Sequence, residues 1–224
     1  QNDFRDPELA HNLIEGINHY AQVIADHKGK DYVVHLMEVC GTHTMAIAKN
    51  GLRDVMPSNV KLTSGPGCPV CVTANREIDM AIELAKHHEV IVTTFGDMLK
   101  VPGSYSSMQK EKGLGGDVRV VYSPLDALDL AQKNPDRHVV FISVGFETTT
   151  PIISATIKRA AAMGLSNFSV YAANKTVPNV LRAIADDPSI QIDALILPGH
   201  VSTIIGSKPY EFLADEFHVP GVVT

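Results

Sequence analysis

The 224 residues contain no tryptophan, only three cysteines and no surplus of basic charge. Lys and Arg together number 19 against 25 Asp and Glu, a formal net charge of −6. A domain that binds nucleic acid by neutralising phosphates carries a basic excess or a Lys/Arg cluster. This chain has neither, so no nucleic-acid partner is expected. No apolar run approaches the roughly 18 residues a membrane-spanning helix requires, so no membrane is expected either. The opening Gln1-Asn2-Asp3-Phe4-Arg5-Asp6 lacks the basic and apolar regions of an export signal and has no initial Met. It reads as the start of a fragment or a processed chain, with a cytoplasmic home expected. Three cysteines are too few for a disulfide framework, and the number is odd. In a reducing compartment they are read as chemistry or metal ligands before staples.

What is present is ordinary globular material. Hydrophobic residues make up 45% and charged residues 20%, which excludes a disordered chain. Residues 9–27 carry apolar positions at helical spacing. Short β-rich runs follow at 32–39, 60–63, 90–94, 118–122, 139–144, 168–172 and 194–197, with a further candidate near 219. Helical stretches are expected at 76–87, 124–132, 151–163, 177–185 and 209–217. Ser123-Pro124 offers an N-cap and a first-turn proline with Asp126 at the third position, and Thr150-Pro151 repeats the device. Gly51 and Gly164 are expected to stop helices. His87-His88 and Lys110-Glu111-Lys112 read as solvated helix surface.

Strand–helix alternation with apolar strands predicts an α/β fold of parallel sheets. The expected architecture is two similar small Rossmann-like units facing a shared cleft, one over residues 1–118 and the other over 119–224. Gly113-Leu114-Gly115-Gly116 is either a hinge between them or a turn before a strand.

The unusual residues fall in one kind of place. Cys40-Gly41-Thr42-His43-Thr44 follows the first strand, Gly65-Pro66-Gly67-Cys68-Pro69-Val70-Cys71 the second and Phe95-Gly96-Asp97 the third. Gly145-Phe146-Glu147-Thr148-Thr149 follows the fifth and Pro198-Gly199-His200-Val201-Ser202 the seventh. Open parallel sheets bind ligands at the carboxyl ends of their strands. Taken singly, each cluster also has a plain reading. Gly and Pro after strands are turn chemistry, a lone Cys is a small apolar residue, and Glu147 is a carboxylate favoured at a helix start. His200 alone reads as a structural histidine.

The pair Cys68 and Cys71 carries more. Two intervening residues at a helix start suit dithiol–disulfide exchange, and the same spacing supplies two ligands to zinc or an iron–sulfur cluster. No second pair is present to close a four-ligand zinc site, so the redox dithiol is preferred. The Gly-rich stretch at 113–116 is not followed by Lys-Ser/Thr, and no Gly-x-Gly-x-x-Gly opens a helix. A phosphate loop and a dinucleotide cofactor are therefore not expected.

Together these motifs resemble the hydrogenase maturation factor HypD family. The likeness rests on Met37-Glu38-Val39-Cys40-Gly41-Thr42-His43-Thr44, the Gly65–Cys71 segment, Gly145-Phe146-Glu147-Thr148-Thr149 and Pro198-Gly199-His200-Val201-Ser202. Thr94-Phe95-Gly96-Asp97, Val101-Pro102-Gly103 and Val121-Tyr122-Ser123-Pro124 add to it. The resemblance implies an assembly scaffold for nickel–iron hydrogenases rather than a conventional turnover enzyme. It implies iron bearing cyanide and carbon monoxide, held by Cys40 with a cysteine of a small HypC-type chaperone. His43 would stand beside that thiolate, and Cys68 and Cys71 would be the redox dithiol. Cyanide would come from a HypE-type donor, and Asp97, Glu147, Thr148 and His200 would line the site. The family also has a C-terminal region whose cysteines hold a four-iron four-sulfur cluster. Ligands for that cluster are not among these 224 residues. The alternatives are an independent thiol–disulfide oxidoreductase using Cys68 and Cys71, and a zinc-dependent hydrolase or transferase.

Overall fold

A computed structural model describes residues 6–224. The opening stretch read for an export signal lies, up to Arg5, outside the described residues. The chain begins with α1 (Pro7–Lys28), β1 (Val34–Glu38), α2 (Gly41–Lys49), α3 (Leu52–Val55) and β2 (Val60–Ser64). It continues through α4 (Asn75–Ala85), β3 (Val90–Thr94), α5 (Met108–Gly113), β4 (Val118–Val120) and α6 (Pro124–Lys133). Then come β5 (His138–Ser143), α7 (Thr150–Ala162), β6 (Phe168–Ala172) and α8 (Val177–Ala185). It closes with β7 (Ala194–Leu197), α9 (Gly199–Ile205), α10 (Glu211–Asp215) and β8 (Gly221–Val223). No described helix is long and apolar enough to cross a membrane.

The strands form two four-stranded sheets, ordered β2-β1-β7-β8 and β4-β3-β5-β6, and every pairing is parallel. Numbered within its own sheet, each has the order 2-1-3-4. The two units are therefore alike in topology, as the sequence leads one to expect. The linear division at 118/119 is not the one the strands follow. The first unit is built from residues up to Gly67 and again from Val180 onward, and the second runs from Cys68 to Asn179. The reason is pairing: β1 accepts β7, not β3, as its second neighbour. The second unit is thus an insertion between β2 and β7.

In the second unit, β3 and β5 are buried along almost their whole length. Ile78, Ile82, Val92, Met98, Met108 and Ile142 form one core, and Ile91, Phe141, Val139 and Ile153 form another. The apolar runs at 90–94 and 139–144 thus read as strands sandwiched between layers. In the first unit, α1 contributes Ala21 and Ala25 to the interior, and the Asn59 amide donates to the Ala21 carbonyl at 3.0 Å.

The Ser123 cap is as expected, with a capping box closed by Asp126. Gly51 and Gly164 take left-handed φ of 61° and 68° after their helices. Two local expectations change, and one left open between two readings is decided. α7 is capped at Thr149, without a side-chain cap bond, so Thr150 lies inside the helix. Residues 114–116, after α5 ends at Gly113, are the turn before β4 and not a hinge, with Gly116 packed so closely that a Cβ would lie 2.4 Å from the Ala85 carbonyl oxygen. Glu111 is buried and accepts a hydrogen bond from the Ser106 hydroxyl, so it is not solvated surface like Lys110 and Lys112 beside it.

Candidate functional site

In an open sheet of order 2-1-3-4, crossings leave the first and third strands in opposite directions, and a crevice opens at their carboxyl ends. In the first unit those strands are β1 and β7, which run into Cys40 and the Pro198-Gly199-His200 turn. The fold thus brings Cys40 and His200 to one point.

Cys40 is the N-cap residue of α2, in extended conformation. Its Sγ lies 3.5 Å from Thr42 Oγ1. Burial pushes the thiol pKa up. Hydrogen bonding from the His200 side chain and the Thr42 hydroxyl, with support from the Thr42 and His43 N–H groups, outweighs it. The net effect is a pKa below that of an ordinary thiol. No cap hydrogen bond is closed in the present side-chain geometry. The N–H groups act as the positive end of a helix facing a nascent anion.

The imidazole that helps to lower the Cys40 pKa is that of His200. His43 is half-buried and its Nε2 lies 2.8 Å from the Thr224 hydroxyl. That hydroxyl donates to the Leu197 carbonyl at 3.3 Å, so it accepts from His43 Nε2–H. Nδ1 is then the bare nitrogen, buried with no hydrogen-bond partner. Thr224 also packs on Gly199, where a Cβ would fall 2.1 Å from the Thr224 carbonyl oxygen. A side chain at the start of α9 would require Thr224 to shift.

The residue beneath this turn was not singled out by sequence reasoning. Glu38 ends β1 at 1% exposure. Its carboxylate accepts the Cys40 N–H at 3.1 Å and the Thr44 hydroxyl. A signal was there to read: a carboxylate inside the apolar run Leu36-Met37-Glu38-Val39, where a parallel strand buries both faces. Gly65-Pro66-Gly67 lies against the same turn. A Cβ on Gly67 would stand 2.6 Å from Gly41 N and 2.7 Å from the Cys40 carbonyl carbon. The chain leaves the first unit at Gly67, and the next residue is Cys68.

In the second unit, Cys68 and Cys71 are both free thiols, half-buried and exposed respectively. They occupy a turn closed by Thr73, whose hydroxyl donates to the Pro69 carbonyl at 2.8 Å. Val70 packs on the core beneath, which includes Val144 and Ala173. α4 begins only at Asn75, so the dithiol precedes the helix instead of opening it. The Cys71 thiol hydrogen-bonds to Cys68, and this contact, with burial, raises its pKa. The helix-start depression expected from the spacing does not operate at Cys71.

The switch point of the second sheet lies between β3 and β5. Asp97, after β3, is exposed and accepts from the Met98 N–H at 2.9 Å. Glu147, after β5, is buried and takes the Val177 N–H between its two oxygens at 3.0 and 3.2 Å. It therefore caps α8, not its own helix. Thr148 is exposed. Gly145 lies tight against Thr149, whose hydroxyl donates to the Phe146 carbonyl and accepts from Asn174. Lys175, also missed in the sequence, pairs with Glu77 at 2.7 Å. Glu77 in turn accepts the Ala74 N–H at the start of α4. Nothing in local spacing announces a pair so far apart in the chain.

The HypD family profile (Hydrogenase formation hypA family) matches residues 15–224. The hydrogenase maturation factor HypD of Rhodobacter capsulatus is 48% identical over 221 residues, which is 99% of this chain and 58% of that protein. That of Escherichia coli (strain K12) is 45% identical over 221 residues, again 99% of this chain and 59% of the relative. That of Rhizobium leguminosarum bv. viciae is 46% identical over 228 residues, covering 57% of its length. The chain thus spans a little under three fifths of the length of these relatives. With the profile matched along nearly all of its residues, and with the Cys40, Cys68–Cys71, Glu147 and His200 motifs in order along two like-wound units, the chain belongs to the hydrogenase maturation factor HypD family.

Proposed function

We propose that the protein is a scaffold on which the iron centre of a nickel–iron hydrogenase is assembled with its cyanide and carbon monoxide ligands. Iron is the cargo. Cys40 supplies its thiolate, shared with a cysteine of a small HypC-type chaperone. A thiolate is a soft ligand suited to iron that also carries cyanide and carbon monoxide. The observation that supports this reading is the setting of Cys40: its thiol stands at the start of α2, 3.5 Å from the Thr42 hydroxyl, after the strand that neighbours β7, and its pKa is lowered. Among the described residues no three His, Cys, Asp or Glu side chains gather to hold a metal. In this reading the chain gives iron one ligand, and the partner and the diatomic ligands fill the rest.

Cyanide arrives from a HypE-type donor as a thiocyanate-like group. Releasing it takes two electrons: the carrier S–C bond breaks, cyanide passes to iron and the carrier leaves as a thiolate. Cys68 and Cys71 supply that pair by forming a disulfide and losing two protons. His43, Asp97, Glu147 and Thr148 are proposed to contact the incoming groups.

The test is anaerobic purification with the HypC-type partner, followed by elemental analysis and infrared spectroscopy. Iron with cyanide and carbon monoxide bands is expected, and Cys40→Ala is expected to lose both while keeping the fold. Intact bands on that variant would overturn the assignment. Zinc alone would point to a hydrolase or transferase. No metal with a reversible Cys68–Cys71 disulfide would point to a thiol–disulfide oxidoreductase.

A further inference from the structure

Glu38 is the least expected residue of the Cys40 site. It is 1% exposed, and among the described residues no cation pairs with it. A carboxylate buried without a cation costs stability unless hydrogen bonds compensate. A strand that needed only to fill this place would do so with Val or Leu. What the carboxylate adds is two acceptors at fixed positions, and both are spent on one turn. One oxygen takes the Cys40 N–H at 3.1 Å and the other takes the Thr44 hydroxyl, one helical turn further on. The Glu38 backbone carbonyl accepts the Gly65 N–H at 2.7 Å. That bond holds the Gly65-Pro66-Gly67 loop, whose Gly67 rests on the Cys40–Gly41 backbone. One residue thus grips the Cys40 turn from below and anchors the loop that braces it from the side.

We propose that Glu38 is the positioning residue of this site, holding the Cys40 main chain and Thr44 so that Sγ keeps its place beside the Thr42 hydroxyl at the start of α2. The proposal rests on reading Cys40 as the ligand of incoming iron, but its test uses no iron. The competing reading is that Glu38 only completes the end of β1.

The experiment measures iodoacetamide alkylation of the intact protein at one near-neutral pH. Peptide mass spectrometry follows Cys40, with Cys71 as internal reference. Glu38→Ala is expected to slow Cys40 about fivefold to tenfold relative to Cys71, because the turn that sets Sγ over the start of α2 is no longer held from below. A chain that merely loosens exposes Cys40 and speeds the reaction, so the sign separates positioning from packing. Glu38→Gln is expected to restore the rate to within about twofold. Its amide oxygen can accept the Cys40 N–H while its NH2 donates to Thr44, whose own proton turns to the Cys40 carbonyl 3.4 Å away. A folded Glu38→Ala with an unchanged or faster Cys40 overturns the proposal, and so does failure of Glu38→Gln to rescue. Should Glu38→Ala not fold, Thr44→Val carries the test. It removes one of the two carboxylate partners and is expected to slow Cys40 about threefold, with an unchanged rate overturning the proposal. Loss or survival of iron in Cys40→Ala bears on the function alone, so the two readings fail separately.

Discussion

Cys40 and His200, which lie in opposite halves of the sequence, follow the paired strands β1 and β7, and the His200 side chain helps to lower the pKa of the Cys40 thiol. That lowering makes Cys40 unlike Cys71, whose thiol holds its proton by bonding to Cys68.

The two thiols should therefore titrate in opposite directions. Alkylation followed against pH is expected to show a midpoint for Cys40 below that of an ordinary thiol and one for Cys71 above it. His200→Ala should move the Cys40 midpoint upward and leave Cys71 where it is. A Cys40 midpoint at or above that of Cys71 in the unaltered protein would contradict the geometry.

Glu147 is expected to reveal its cap through stability. Glu147→Ala leaves the first N–H of α8 without its acceptor and should cost about 1–3 kcal/mol. Glu147→Gln keeps an acceptor oxygen and should lose less. Urea unfolding of both variants measures the difference, and equal losses would remove the capping argument.

At Gly67, the atoms a methyl group would strike are backbone atoms of Cys40 and Gly41, which cannot swing aside. Gly67→Ala is expected to destabilise the protein by about 1–3 kcal/mol through overpacking. It should also change Cys40 alkylation by disturbing the turn. Wild-type values of both would show that the contact yields easily.

Acid should weaken the protein through Asp117. Arg119, and then Arg137, hold this carboxyl against the opposing effect of burial, with a pKa lowered from the ordinary 3.8 to about 2. A depressed folded pKa means the contribution is whole above about pH 4 and is lost as the pH falls through 2. A quarter of the side chain is exposed, so the stabilisation is put at about 1–2 kcal/mol after allowing for solvent screening. Asp117→Asn should be less stable at pH 7 by that amount and should lose less on acidification. Parallel unfolding curves for the two proteins at pH 7 and pH 2.5 check the sign.

The strands were legible because β-branched and apolar runs such as 90–94 and 139–144 stand between turn residues. Cys40 and His200 were each legible as residues after a strand, but with the chain divided at 118/119 they were expected on two units facing a cleft, whereas they follow neighbouring strands of one sheet. Strand order was not legible. That β1 takes β7 as its neighbour depends on a pairing across the whole inserted unit, which no local pattern encodes. α9 was missed as a helix, and α2 was signalled only by its stop at Gly51, because both open on glycine, at Gly41 and Gly199, where turn chemistry dominates the reading. Glu38 was visible as a letter within a motif, but its role lies in a burial and a pair of hydrogen bonds that spacing does not carry.

The insertion of the second unit between β2 and β7 has a consequence during synthesis. Cys40, Glu38 and the Gly65–Gly67 loop leave the ribosome early, and His200 and Thr224 only after the whole inserted unit has followed. A growing chain can therefore fold its middle before its first sheet is complete. Until the last strands arrive, Cys40 has its own helix and Glu38 but not the imidazole that helps to lower its pKa. The order of translation thus withholds the finished thiol site until nearly all of these residues have been made.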